Sequence, residues 1–194
     1  MAQRDTGTEQ LIKDTAKQIF FAEGKLHATT QDIADAAGVN RTLLNYYFRS
    51  RDILFEQVAT EARAEMSAEL DSVFSADLEF KEKVQQLITV FMDQAMKFPY
   101  REVYVVTELN RTDKTVPEEK KNRIKQFLTE IDAEMKKGKI RKMDPRHFVM
   151  NLFALMAYPL ITNCLNKSLY SINDAEYLKL MKERKKLIFE MVYQ

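Results

Sequence analysis

The sequence predicts an all-α fold of about nine helices, and three observations carry that reading. Only 4 Gly and 4 Pro occur in 194 residues, so few positions interrupt a helix. Capping residues stand just ahead of the apolar-periodic segments. Apolar side chains recur at spacings of three and four, the repeat of a helix with one face in a core.

The elements follow in order. Thr6 and Glu9 are spaced for a capping box opening the first helix; Leu11, Ile12, Ala16, Ile19 and Phe20 form its core stripe, and Gly24 ends it. Thr29 and Thr30 cap a short second helix, Gln31 to Ala37, which Gly38 breaks. Asn40 caps a third, Arg41 to Tyr47, and Ser50 caps a long fourth from Arg51 to about Phe74. Phe80 to Phe98 reads as the fifth, with Val84, Leu87, Ile88, Phe91, Met92 and Ala95 on one side. Tyr100 to Arg111 is the sixth; its Val103–Val106 run also suits a strand, but an isolated strand is unstable. Thr115 and Glu118, with Pro117 in the first turn, open a seventh that ends at Gly138. Asp144-Pro145 opens the eighth, to about Leu165, and Asn173 with Glu176 caps the ninth.

Composition narrows the function. The net charge is +1, so nucleic-acid binding cannot be argued from bulk charge. Residues 1–56 hold 7 basic and 8 acidic side chains, a net of −1. Between Val39 and Arg51, however, there are three arginines and no acid. The single cysteine, Cys164, excludes an internal disulfide and a Cys-based zinc cluster, which fits a reducing cytoplasm; the N-terminal MAQRDTGTEQ lacks the apolar stretch of a signal peptide. Only His27 and His147 occur, with no nucleophile–base, phosphate-loop or metal-ligand spacing, so neither an enzyme nor a cofactor is expected. Phe148–Leu165 is the most apolar run, but Asn151, Pro159 and Asn163 interrupt it; a buried helix is expected, not a membrane span.

The segment from Gln31 to Phe48 carries the strongest signal. Ala34 leaves room for two helices to cross closely, Gly38 supplies the turn, and Ile33, Val39 and Leu44 form a small core. Arg41, Thr42, Asn45 and Tyr46 then share the outer face of the third helix, with hydrogen-bonding groups of suitable reach for base edges. The Ala-x-x-x-Gly spacing alone favours a plainer reading, a helical hairpin with a solvated polar face.

The surrounding residues add a resemblance. Thr29-Thr30, Ile33-Ala34, Ala37-Gly38-Val39-Asn40, Leu44-Asn45-Tyr46-Tyr47-Phe48 and Arg49-Ser50-Arg51 together resemble the tetracycline-repressor (TetR/AcrR) family over roughly residues 8 to 58. The resemblance implies a three-helix helix-turn-helix DNA-binding domain over 1–56 and a helical ligand-binding and dimerisation domain over 57–194. It implies that Thr30, Tyr47 and Arg51 contact phosphates, while Gln31, Arg41, Thr42, Asn45 and Tyr46 face bases or the groove. Asn45 stands where the family usually has tyrosine, implying an altered base preference, and Leu43 where a small hydroxyl residue is common.

Beyond Val58 the resemblance implies only architecture: a homodimer through the last two long helices, a palindromic operator, and an inducer pocket. Phe91, Met92, Met96, Phe98, Tyr104, Phe127, Met156 and Tyr158 are adaptable side chains suited to an apolar or aromatic inducer, or equally to packed core. Tyr104, Glu108, Asn110, Asn151 and Asn163 are candidate polar anchors. The expected function is a repressor of this kind. The alternatives are an activator, or a DNA-binding or protein-partner module without an inducer.

Overall fold

The computed structural model describes residues 6–109 and 116–193. These form ten α-helices: α1 (Thr6–Lys17), α2 (Thr30–Ala37), α3 (Arg41–Phe48), α4 (Arg51–Ser75), α5 (Phe80–Lys97), α6 (Pro99–Leu109), α7 (Glu118–Lys136), α8 (Pro145–Ile161), α9 (Asn163–Tyr170) and α10 (Asp174–Val192). Among the described residues there is no strand, and Val103–Val106 is helical.

Local chemistry sets most boundaries. Asn40, Ser50 and Asn173 each accept a bond from a first-turn N–H, at 2.7, 3.2 and 3.0 Å, and Asn173 closes a capping box with Glu176. Gly24, Gly38 and Gly138 have φ of 75°, 68° and 75°, and Gly38 is the left-handed cap of α2. Helix α7 begins two residues later than its sequence suggests, with Pro117 at the N-cap. The predicted partner Thr115 and the candidate anchor Asn110 lie outside the described residues, as does the side chain of Glu108.

Two departures have clear physical causes. Helix α1 continues into a π-helical turn, Gln18–Ala22, where Glu23 N–H donates to Gln18 O at 3.0 Å. The wider turn shifts the helical phase, so Ile19, Phe20 and Phe21 are all buried in succession, while Leu11, predicted in the stripe, is 49% exposed. The predicted eighth helix is two helices, α8 and α9, bent by 70°. Pro159 has no N–H for the Leu155 carbonyl one turn back. Arg184 of α10 donates Nη2 to that carbonyl at 2.9 Å, and Tyr177 donates its hydroxyl to Pro159 O.

The buried side chains form two cores. One gathers Ile12, Phe20, Ile33, Ala34, Leu44 and Phe48 with the first half of α4. The other gathers α5, α7, α8 and α10 around Leu87, Ile88, Met92, Ile131 and Leu152. Helix α4 passes through both: Leu54, Val58 and Ala62 enter the first, Met66 and Val73 the second. Helix α6 also reaches across, since Phe98, just before it, and Tyr104 pack on the first core. Among the described residues no single helix is long and apolar enough to cross a membrane; α8 and α9 meet that test only as a bent pair.

Candidate DNA-binding surface

The surface is built from the start of α2 and the outer face of α3. Thr29 N–H donates to Asp32 Oδ2 at 2.7 Å and Asp32 N–H to Thr29 Oγ1 at 3.2 Å, a capping box that squares off the N-terminus of α2. The Thr29 backbone and hydroxyl bonds hold the Asp32 carboxyl below its ordinary value, so a negative charge sits on the helix's positive end. Thr30, in the first turn, is half-buried, and Gln31 is exposed, with its amide Nε2 donating to Asp35 Oδ1 at 2.7 Å.

Helix α3 divides cleanly. Leu44, Tyr47 and Phe48 face the core, and Arg41, Thr42, Asn45 and Tyr46 are exposed on the opposite side. Tyr46 is 61% exposed and meets Tyr47 edge-on, ring centroids 5.5 Å apart. Ala34 is fully buried, and Val39 N–H donates to its carbonyl at 3.0 Å through the tight turn that sets the crossing. The hydrogen-bonding groups on this face suit a major groove, whose base edges offer both donors and acceptors.

After α3 the chain makes an unusual turn. Arg49 has φ 59° and ψ −41°, and Ser50 N–H donates to Phe48 O at 2.6 Å. That is the geometry of a γ-turn, strained for a side chain larger than glycine. It leaves Arg49 exposed at the end of the polar face.

Two expected phosphate contacts are placed differently from their neighbours. Tyr47 is only 8% exposed, its ring part of the core beneath α3. Arg51 turns inward. Its guanidinium lies 5.3 Å from the Phe20 ring centroid and 4.9 Å from that of Phe55, and donates to Leu26 O, to Ala28 O at 3.4 Å and to Asp52 Oδ1 at 3.1 Å. The arginine thus braces the loop leading into α2, which sequence spacing does not reveal. Of the three-arginine patch, Arg41 and Arg49 remain outward-facing.

The candidate ligand residues do not line one space. Phe91, Met92, Phe127 and Met156 are buried in the second core, with Met96 packed against it. Tyr104 sits on the first core, 5.0 Å from Phe55 between ring centroids, and Asn151 is exposed on α8. Asn151 borders a groove of about 380 Å³ with Phe148, Leu155 and Met191. A larger open cleft, about 800 Å³, runs between the α4–α5 connection and α7 and is lined largely by charged groups such as Glu79, Lys83, Glu130 and Lys137.

Two short helices crossing through a glycine turn, with a polar outer face on the second, define a helix-turn-helix DNA-binding regulator. Residues 12–58 match the family model described as bacterial regulatory proteins, tetR family. The chain is 25% identical over 161 residues to the "Probable HTH-type transcriptional regulator YttP" of Bacillus subtilis (strain 168), covering 78% of this chain and 76% of that protein. Its fold is similar to that of the ketosteroid transcriptional regulator KstR2 of Mycobacterium tuberculosis, with TM-score 0.65 at 14% identity over 99% of this chain and 97% of that one. A TetR-family regulator from Streptomyces coelicolor, SCO4454, gives TM-score 0.59 at 17% identity over 95% of each chain. Residues 12–58 thus match the tetR-family DNA-binding region, and the findings together support a TetR-family transcriptional regulator.

Proposed function

We propose that this protein is a cytoplasmic homodimeric repressor that binds a palindromic operator and is released by a small molecule, with no catalytic activity of its own. The observation that carries the reading is the exposed face of α3, where Arg41, Thr42, Asn45 and Tyr46 stand over a buried Leu44, Tyr47 and Phe48. Arg41 pairs with guanine and Asn45 with adenine, each in bidentate fashion. Thr30 and Arg49 meet phosphates, and Gln31 reaches the groove by exchanging its bond to Asp35.

The dimer is supported by where apolar surface remains uncovered. Among the described residues fifteen large apolar side chains are exposed, and nine of them lie on α8, α9 and α10, including Met150, Tyr158, Leu169, Tyr170, Leu187 and Met191. Tyr158, Tyr170, Leu180 and Leu187 rim a groove of about 540 Å³ between these helices. Burying such a patch against its twofold copy is favourable and presents two α3 helices to one duplex.

The effector acts on the second core, whose methionines (Met66, Met92, Met135, Met156 and Met181) repack readily around an apolar guest. A second reading, a regulator with no effector, is favoured by the close packing of Phe91, Met92, Phe127 and Met156. Selection of bound duplexes from a randomised library, followed by a release screen with small molecules, tests both. The first reading expects a palindrome with half-sites about 34–36 Å apart and at least one releasing compound. Failure to enrich any palindrome contradicts the repressor dimer, and binding that no compound relieves favours the second reading.

A further inference from the structure

We propose that Arg101 is the anchor for an anionic effector, a carboxylate on an apolar body, received by its paired Nη1 and Nη2 at the junction of the two cores. This deepens the ligand-responsive reading above and rests on it. Arg101 stands in the first turn of α6 and is 1% exposed. Its Nε donates to Glu102 Oε1 at 3.0 Å, while Nη1 and Nη2 are buried with no hydrogen-bond partner. Among the described residues two other arginines, Arg123 and Arg184, also bury an unpaired nitrogen, but only Nε; Arg123 Nη1 and Nη2 pair with Asp71 and Glu119, and Arg184 Nη2 donates to Leu155 O.

Leaving two charged donors buried without an acceptor is costly, and the cost is removed when an anion arrives. With Nε held by Glu102, the outer edge of the guanidinium presents two parallel N–H groups, the fork that a planar carboxylate matches. The helix N-terminus adds a favourable dipole. The surroundings reinforce both halves of the ligand. The Phe98 ring lies 5.9 Å from the guanidinium carbon and also faces Lys97 Nζ at 5.3 Å and Lys17 Nζ at 4.8 Å, the latter paired with Glu65. Arg101 and Lys17 each keep a carboxylate partner, Glu102 and Glu65, so the Phe98 ring is flanked by two paired cations and by Lys97.

The position also gives the anion a route to the DNA-reading surface. Phe98 is buried in the first core, and Tyr104 on the same helix packs on Phe21 and Phe55, 6.0 and 5.0 Å between ring centroids. Tyr100 lies so close to Gly24 that a Cβ there would sit 2.6 Å from its ring. A ligand that draws Arg101 toward itself moves a helix seated on both α4 and the loop before α2, and so biases their arrangement.

The test uses the full chain with acetate, hexanoate, decanoate and benzoate, each beside its own primary amide. Thermal unfolding and displacement from the selected operator are read for the native protein, Arg101→Gln and Arg101→Lys. The expected result is that at least one acid binds the native protein about tenfold or more tightly than its amide. Arg101→Gln erases that preference, and Arg101→Lys, which keeps charge but not the fork, retains a reduced one. Equal binding of every acid and amide to the native protein overturns the proposal, as does a preference that survives in Arg101→Gln. Amides that release the operator as well as acids leave the ligand-responsive reading standing and remove Arg101 from it. An Arg101-dependent acid that leaves operator binding untouched does the reverse.

Discussion

Replacing Arg51 with methionine separates bracing from phosphate contact. The hydrogen bond to Leu26 O joins a charged donor to a backbone carbonyl, an interaction worth about 1.5–3 kcal/mol. The bond to Ala28 O is long at 3.4 Å and adds little. Stacking on Phe20 and Phe55 contributes about 0.5–2 kcal/mol, toward the lower end because the side chain is 28% exposed. Methionine keeps the apolar stem but none of these bonds, so Arg51→Met should cost about 2–3 kcal/mol. Urea unfolding of the full chain reads this as a lower midpoint with unchanged slope. The salt dependence of operator binding, compared where both proteins remain folded, should be unaltered. An unchanged midpoint together with a log–log salt slope shallower by about 1 per half-site would refute the bracing role and restore the phosphate contact.

Arg49→Gly should behave in the opposite way: relief of the positive φ stabilises the fold by about 1 kcal/mol, while loss of the exposed cation lowers the salt slope by about 1 per half-site. Urea unfolding and salt titration read the two effects separately. Gly24→Ala should destabilise by about 2 kcal/mol or more, because the backbone is left-handed and the new Cβ meets the Tyr100 ring; Tyr100→Ala should recover part of the loss in a double-mutant cycle. Burial, and then its bond to Glu134, pushes the Tyr193 hydroxyl up to about 12. Its contribution to stability is therefore complete below the ordinary value of 10.0 and disappears as pH rises through about 12. Tyr193→Phe should flatten that part of the stability–pH curve, and an unchanged curve counts against the bond.

How much of this was legible in the sequence depends on the range of the interaction concerned. The caps at Thr29, Asn40, Ser50 and Asn173 act over three residues, and the sequence shows them. The exposed face of α3 follows from helical spacing alone, so Arg41, Thr42, Asn45 and Tyr46 were readable as a set. Arg51 has the same local credentials, yet its direction is decided by Phe20 and Phe55 from other parts of the chain. The break between α8 and α9 is similar. Pro159 is visible as an interruption, but the partner of the Leu155 carbonyl that it orphans, Arg184, lies on another helix. Methionine and aromatic content did not distinguish pocket from core, because adaptable side chains serve both. Arg101 carried no sequence signal at all: a buried guanidinium is recognised only once its missing partners can be seen.

Whether α3 reads bases through its outer face is decided by comparing operator selections for the native protein, Arg41→Ala and Asn45→Ala. The native chain should enrich one palindrome. Each variant should lose discrimination at its own symmetric base-pair positions, by about 1–3 kcal/mol, and keep the rest of the motif. Variants that select the native palindrome with undiminished preference at every position would contradict base reading by α3.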